Sequence, residues 1–280
     1  MMIKLGFICF LWGIVTSFAM ANEEQTLPKW EFGLGPSLLS YPDYPGSKEQ
    51  NNLILPFPYI IYRSPNFTIN QREIKKPLYS YQNIELDLSL SGTIPVSSKD
   101  NAAREGMEDL DASAGIGPVI KFGLYQNELN QVKLEWPVRW ILATDFRSIH
   151  EEGFVTSPGL YYYYRQSFAH DQRVKITLQI NANFAAAKNN NYFYGVKPSE
   201  ATATRPAYRP TGGFSGMLYG MSLNWHIEDY WVGAFYRLRD LKNTVFENSP
   251  LIETTRSETF GMTVTWNLYC LLSPSAAAHE

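Results

Sequence analysis

Along residues 131–142, QVKLEWPVRWIL, apolar side chains take every second position: Val132, Leu134, Trp136, Val138, Trp140 and Leu142, with Lys133, Glu135 and Arg139 between them. Successive side chains of a strand point to opposite sides of the pleat, so this period of two predicts a β-strand and excludes a helix. The pattern recurs where Ile84, Leu86, Leu88 and Leu90 alternate with Glu85, Asp87, Ser89 and Ser91. It recurs again from Val174 to Asn181 and from Thr259 to Leu268. Weaker versions cover Trp30–Leu39, Leu53–Arg63, Ala112–Tyr125, Phe154–Arg165, Phe214–His226 and Tyr230–Leu238. No segment of helical period competes with them.

Alternation alone does not say which face is interior. A soluble sheet packs its apolar face on a core, whereas an outer-membrane barrel turns that face to lipid and lines its lumen with the polar one. The connections help to decide. QNELNQ, SFAHDQR and the stretch around HIEDY are short. Long connections alternate with them: YPDYPGSKEQ, TIPVSSKDNAAREGMEDLD, FRSIHEEG, the stretch from AAKNNNYFYG to RPTGG, and LKNTVFENSPLIE. Short periplasmic turns alternating with long outer loops are the barrel pattern. A single register fits the chain if residues 67 to 92 supply three strands, since a crossing needs only roughly 9–11 residues. That gives an all-β, antiparallel transmembrane barrel of about 12 strands, with 10 as the fallback because INQREIKKPLYSYQ is hard to divide.

The N-terminus agrees. Lys4 precedes an apolar run from Leu5 to Val15 and then Ala19-Met20-Ala21, the anatomy of a secretory signal cleaved after Ala21. The expected division is therefore a signal peptide over 1–21, a barrel over 22–269 and a C-terminal extension over 270–280. Cys9 leaves with the signal, so Cys270 has no partner for an internal disulfide. Composition fits alternating strands: 45% of residues are hydrophobic and 15% aromatic, yet mean hydropathy is −0.24. Aromatic residues gather near expected strand ends, at Trp30, Tyr59, Tyr62, Tyr161 to Tyr164, Trp225, Tyr230, Trp231 and Tyr269, as in the girdles of such barrels. A net charge of −3 gives no reason to expect a nucleic-acid partner. On this reading the charges of the opening strand, Lys133, Glu135 and Arg139, face the lumen.

Candidate chemistry is sparse. His150 and His170 fall in expected connections, His226 ends a strand and His279 lies in the tail, so the histidines converge on no predicted site. Glu105, Glu108, Asp109 and Asp111 share one loop, without the spacing of a calcium-binding EF-hand, and read as a solvated acidic loop. Gly33 and Gly35 lack the third glycine and following helix of a dinucleotide fingerprint, and read as glycines that ease strand curvature or close packing. Neither a metal nor a cofactor is expected. The lumen charges could form a selectivity filter or pair with neighbours to plug the interior. Twelve strands fall between barrels filled by side chains and barrels with an open channel.

Several stretches carry a resemblance: YPDYPGS (Tyr41 to Ser47), LPFPYIIYR, DLSLSGTIPVSS, AREGMEDLDASAGIGP, YFYGV (Tyr192 to Val196), RPAYRPTGGFSG and YWVGAFYRLRDLKNTVFENSPLI. In this order they resemble the MipA/OmpV family of outer-membrane proteins over nearly all of the mature chain. The resemblance implies a Gram-negative outer-membrane barrel. For the branch that names the family it also implies a non-enzymatic scaffold, binding a membrane-bound lytic transglycosylase and a bifunctional penicillin-binding protein in peptidoglycan remodelling. The alternatives are a pore passing small solutes and an outer-membrane hydrolase with a candidate such as His150. Motif positions carried over as binding candidates are Tyr41, Pro42, Asp43, Tyr44, Pro45, Gly46, Tyr194 and Gly195. These motifs lie mainly in the long loops, which could fold inward and close the barrel. One departure is the tail CLLSPSAAAHE, since such barrels commonly end on an aromatic residue of the last strand.

Overall fold

The computed structural model describes residues 30–64, 67–69, 74–75, 78–145, 147–169 and 172–271. The expected signal peptide, His170 and His279 lie outside the described residues.

Fourteen strand segments form one antiparallel sheet. In chain order they are β1 (Trp30–Pro42), β2 (Gln50–Ser64), β3 (Phe67–Ile69), β4 (Ile74–Lys75), β5 (Tyr79–Tyr81), β6 (Ile84–Thr93), β7 (Ala112–Gln126) and β8 (Asn130–Thr144). There follow β9 (Ile149–Thr156), β10 (Gly159–Phe168), β11 (Gln172–Ala185), β12 (Gly213–Ile227), β13 (Tyr230–Asp240) and β14 (Arg256–Leu271). Neighbours run β4-β3-β2-β1-β14-β13-β12-β11-β10-β8-β7-β6-β5. The first strand thus pairs with the last, Trp30 opposite Leu271 and Leu38 opposite Met262, which is the seam of a barrel.

Two pairs of segments are successive parts of one crossing. β9 and β10 hold the same register against β8, with Val138 opposite Thr156 and Glu135 opposite Gly159, and are separated only at Ser157-Pro158. Proline has no amide hydrogen for the ladder, which accounts for the break at Pro158. β4 pairs with β3 and β5 with β6, so these two segments stand at the two ends of the hydrogen-bonded path, and β4 and β6 approach within 8 Å between Cα atoms. Counted as crossings the sheet has the expected twelve strands, and residues 67 to 92 supply three of them.

The faces are sorted as an outer-membrane barrel requires. Leu34, Trp136, Trp140, Ile180, Met221 and Trp266 are exposed, while Asp87, Lys121, Thr177, Asn181, Ser222 and Thr265 of the opposite face are buried. In water such an apolar exterior would cost about 25 cal/mol for each Å² exposed. In lipid it is the stable arrangement. The charged face of the opening strand therefore looks inward.

Period two also corrects part of the aromatic girdle. Trp231 is 8% exposed and stacks on Phe57 with centroids 6.0 Å apart, because it shares the inward parity of Gly233, Phe235 and Arg237. Trp225 and Tyr230 lie on the exposed side. Two further differences concern connections. His150 belongs to β9, since that strand begins at Ile149 and leaves only a short turn after Thr144. The long stretch after β11 contains a helix, α1 (Ala187–Tyr194), which the two-residue period elsewhere gave no reason to expect. β14 also runs to Leu271, two residues past Tyr269.

One end of the barrel carries short turns, such as 82–83, 127–129 and 228–229, together with the first and last described residues of the chain. The other carries the loops 43–49, 94–111, 186–212 and 241–255.

Candidate functional site

At the loop end the four loops fold into a cap with its own apolar core: Tyr44, Val96, Leu110, Tyr194, Val196, Leu241, Phe246 and Leu251 are all buried together. The β6–β7 and β11–β12 loops leave from different sectors of the sheet, so they meet only by crossing the mouth. Sequence reasoning allowed for inward-folded loops but did not name this core, whose members are far apart in the chain.

The first loop is set by the turn Tyr44 to Ser47. Gly46 has φ +104°, a left-handed conformation that glycine adopts without steric cost, and an added Cβ would sit 2.6 Å from the Ile252 side chain. Its amide donates to Ser257 Oγ at 2.6 Å, while its carbonyl accepts from the amides of Glu253 and Thr254. The Tyr44 hydroxyl donates to the Leu251 carbonyl at 2.9 Å, and the Tyr194 hydroxyl to the Pro45 carbonyl at 3.0 Å. The Tyr194 ring stacks on Phe246 with centroids 3.8 Å apart. Gly195 closes α1, its amide donating to the Asn191 carbonyl.

Polar groups in the cap are tied with equal economy. Asp43 accepts from Asn51 Nδ2 at 2.5 Å and from Asn101 Nδ2 at 2.8 Å. The buried Arg104 guanidinium donates to the carbonyls of Phe193 and Glu108 and lies over the Tyr44 ring, 5.8 Å from its centroid. Burial lowers the pKa of Arg104, against the opposing pull of Tyr44 and Glu200. Burial likewise raises the Tyr44 and Tyr194 hydroxyls far above the usual phenol, and pushes Tyr192 up to about 12. The acidic loop ties its neighbours: Glu108 accepts from Lys197 Nζ at 2.6 Å, and Asp111 Oδ2 stands 3.6 Å from His150 Nε2. Among the described residues no three of His, Cys, Asp and Glu gather as metal ligands.

The structure thus brings the motif positions Asp43 to Gly46 together with Tyr194 and Gly195 inside the cap, with Tyr41 and Pro42 ending the strand that leads into it. Lys133, Glu135 and Arg139 lie apart from them on β8. Lys133 Nζ is 2.8 Å from both carboxylate oxygens of Glu85. Glu135 accepts from the Tyr163 hydroxyl at 2.6 Å, and Arg139 Nε donates to Ser89 Oγ at 2.8 Å. Beside them Lys121 and Asp87 pair at 2.9 Å with side chains 10% and 9% exposed. Lys121 was not singled out from sequence. Its parity with Glu85 and Asp87 across the β6–β7 ladder, once the register is known, places it on this wall.

Across the lumen, toward the turn end, a cavity of about 630 Å³ is lined by residues of β1, β2 and β10 to β14. Arg165, Arg173, Lys175 and Arg237 contribute its charge, and Phe57, Trp231 and Phe235 its aromatic surface.

A closed antiparallel sheet with an apolar belt, a polar and charged interior and both described ends at the turn side defines an outer-membrane β-barrel. The chain belongs to the MipA family: the family described as MltA-interacting protein MipA matches residues 34–268. It is similar to the outer membrane protein Omp26La of Vibrio anguillarum, 35% identical over 89 residues, and to the outer membrane protein OmpV of Vibrio cholerae, 34% identical over 89 residues. Each match covers 30% of this chain, which spans about a third (33%) of the length of these relatives. Among solved structures the chain is similar to OccAB1 of Acinetobacter baumannii, with TM-score 0.25 and 7% identity over 75% of this chain and 65% of that one. It is also similar to a FadL homologue of Pseudomonas aeruginosa, with TM-score 0.28 and 7% identity over 86% and 90%. Scores this low bear on neither mechanism nor ligand. The protein is located in the outer membrane, where its exterior contacts lipid.

Proposed function

We propose that this protein is a non-enzymatic scaffold of the outer membrane that holds a lytic transglycosylase of the MltA kind, and with it a bifunctional penicillin-binding protein, at the periplasmic surface. The family match over residues 34–268 carries this reading, since the family is described by that interaction. The geometry supports it in one respect. Short turns of outer-membrane barrels face the periplasm, and here the first and last strands meet at that end, Trp30 beside Leu271. The turn end and the segments that continue from it are then what a murein enzyme meets, after removal of residues 1–21. The loop end is bound up in its own core. Permeation of solutes, the other reading, would require a path through that cap.

The test is retention of a purified MltA-type lytic transglycosylase on the immobilised, folded barrel, compared with a version truncated after Leu271. Retention by both places the contact on the barrel turns, and retention by the full chain alone places it on the tail. Retention by neither overturns the scaffold reading. Planar-bilayer conductance then becomes the deciding measurement for a pore.

A further inference from the structure

β2 and β6 each have a second neighbour only near the turn end. β3 pairs with β2 at 62–64, and Ile69 and Ile74 are already direct partners, so the chain has reversed direction between them. β5 pairs with β6 at 84–86. Toward the loop end no ladder joins β2 directly to β6 among the described residues. The cap spans the interval from above: Asn101 Nδ2 donates to Asp43 Oδ2 and Ser47 Oγ, and the Ala102 amide to Glu49 Oε1. The wall therefore has a window, with β2 and β6 as its sides, the short strands below and the cap above.

Both sides are finished as free edges. Pro36 and Pro56 stand opposite each other in the β1–β2 register and neither can donate, so theirs is a non-hydrogen-bonded pair whose nitrogens face away from one another. Pro56, and with it Pro58 two residues on, thus occupies a position where β2 would present an amide to the window. On β6 the Leu78 amide reaches the Leu86 carbonyl, so even-numbered residues turn their backbone groups to the window side. The next of them, Leu88, donates its amide to Asp87 Oδ1 at 2.8 Å instead of to a strand. Prolines on an edge oppose the addition of a further strand. Within a membrane an open edge is tolerated where it borders a hydrated cavity.

What the window admits is set by β2, which is apolar on both faces. Ile54 on the outer face and Leu55 on the inner are 78% and 50% exposed. Phe57, next on the inner face, borders the cavity of about 630 Å³ and stacks on Trp231. Apolar surface thus leads from the lipid side, around the edge of β2, to the aromatic rings of the lumen. A hydrocarbon chain follows that surface without meeting bulk water, whereas a hydrated solute would have to shed its water. We propose that the window is a lateral portal through which an acyl chain of a surrounding outer-membrane lipid enters the lumen, lying over Leu55 and ending against Phe57. The portal opens to lipid and not to the water beyond the cap, and it does not depend on the scaffold reading.

The experiment is photo-crosslinking of the folded protein in phospholipid vesicles, with p-benzoylphenylalanine in place of Phe57 and mass spectrometry reading covalently attached phospholipid. The same probe in place of Leu178, on the lipid face of β11, is the positive control. In place of Tyr161, which bonds Asn181 on the lumen face, it tests a lumen position away from the window. Adduct at positions 57 and 178, without adduct at 161, is expected. Leu55→Asp sets a carboxylate against the entering chain and should lower the yield at 57 about tenfold, since a charge facing hydrocarbon is costly. Ser91→Trp narrows the window from β6 and should also lower the yield, even if Leu55→Asp fails to fold. No adduct at 57 despite labelling at 178, equal yields at 57 and 161, or a yield at 57 unchanged by Ser91→Trp would overturn the proposal. Adduct at 57 formed only with added free decanoate would overturn it too, since the ligand would then come from water and not from the membrane.

Discussion

The hydroxyl of Tyr44 donates to the carbonyl oxygen of Leu251 at 2.9 Å, joining residues 207 apart in the chain through a buried bond. That one contact ties the loop after β1 to the loop before β14. Tyr44→Phe keeps the ring and leaves a buried carbonyl unsatisfied, so it should cost about 1–2 kcal/mol. Tyr44→Ala also opens a cavity beside Tyr194 and Phe246 and should cost about 3–5 kcal/mol. Protease sensitivity of the loop end, together with urea unfolding in vesicles, measures both. Equal stability of wild type and Tyr44→Ala would show that the cap core does not hold the loops.

Alkaline pH should loosen the cap before the barrel. Burial raises the phenol pKa of Tyr192 to about 12, and those of Tyr44 and Tyr194 further, above the ordinary value of 10.0 that the unfolded chain would show. The folded cap therefore retains protons that the unfolded one releases. The stability these groups contribute is fully present below pH 10 and is lost as pH rises through their folded values. Absorbance at 295 nm should show exposed tyrosines titrating near pH 10, with a later phase accompanied by protease sensitivity at the loop end. A single phase near pH 10 that leaves the cap resistant would contradict the burial of these three rings.

The pair Lys121–Asp87 allows a cleaner test of the lumen wall, because both side chains are nearly inaccessible. Asp87→Asn removes the carboxylate that Lys121 Nζ meets at 2.9 Å and should cost about 3–5 kcal/mol. Lys121→Met combined with Asp87→Leu removes both charges and should recover most of that loss. A double-mutant cycle in vesicle unfolding gives the coupling, and additive effects would mean the pair is held apart in the membrane.

Gly35 should tolerate no side chain. A Cβ there would lie 1.8 Å from the Val264 carbonyl oxygen of β14, where β1 is irregular just after Phe32. Backbone cannot yield as a flexible side chain can, so Gly35→Val should cost at least about 3 kcal/mol. The readout is loss of the heat-modifiable folded band in electrophoresis. Normal folding of Gly35→Val would mean the seam between β1 and β14 is looser than described.

Strands, faces and crossings were legible in the sequence because period two is a local signal repeated along the chain. Val174 to Asn181 states its register in eight residues, and the shared face of Lys133, Glu135 and Arg139 follows from their apolar neighbours, while its inward sense follows from the connections, signal and aromatics that indicate a membrane barrel. Of the glycines 33 and 35, readable as easing strand curvature or close packing, Gly35 is a point of close approach, against the Val264 carbonyl. Nearness to a strand end suggests a girdle position for Trp231, but its parity turns it inward. His150 reads as part of a connection, whereas β9 begins at Ile149. The cap core was not legible for a different reason. Val96, Leu110, Phe246 and Leu251 have no periodicity, and only the closure of the sheet brings their loops to one mouth. The cationic cavity was hidden in the same way: Lys175 and Arg237 were visible as polar-face residues, but their nearness to Arg165 and Arg173 depends on strand pairing.

The cap described above has a consequence for how the cell surface is seen from outside. Loops of a barrel that stand separately can each be recognised, cut or replaced alone. Here Tyr44, Leu110, Tyr194 and Leu251 bring one buried residue from each of four loops into a common core. An antibody or phage approaching the loop end therefore meets one composite, conformational epitope. A peptide copied from any single loop would reproduce little of it, and an escape substitution in one loop would have to be compatible with the packing of the other three.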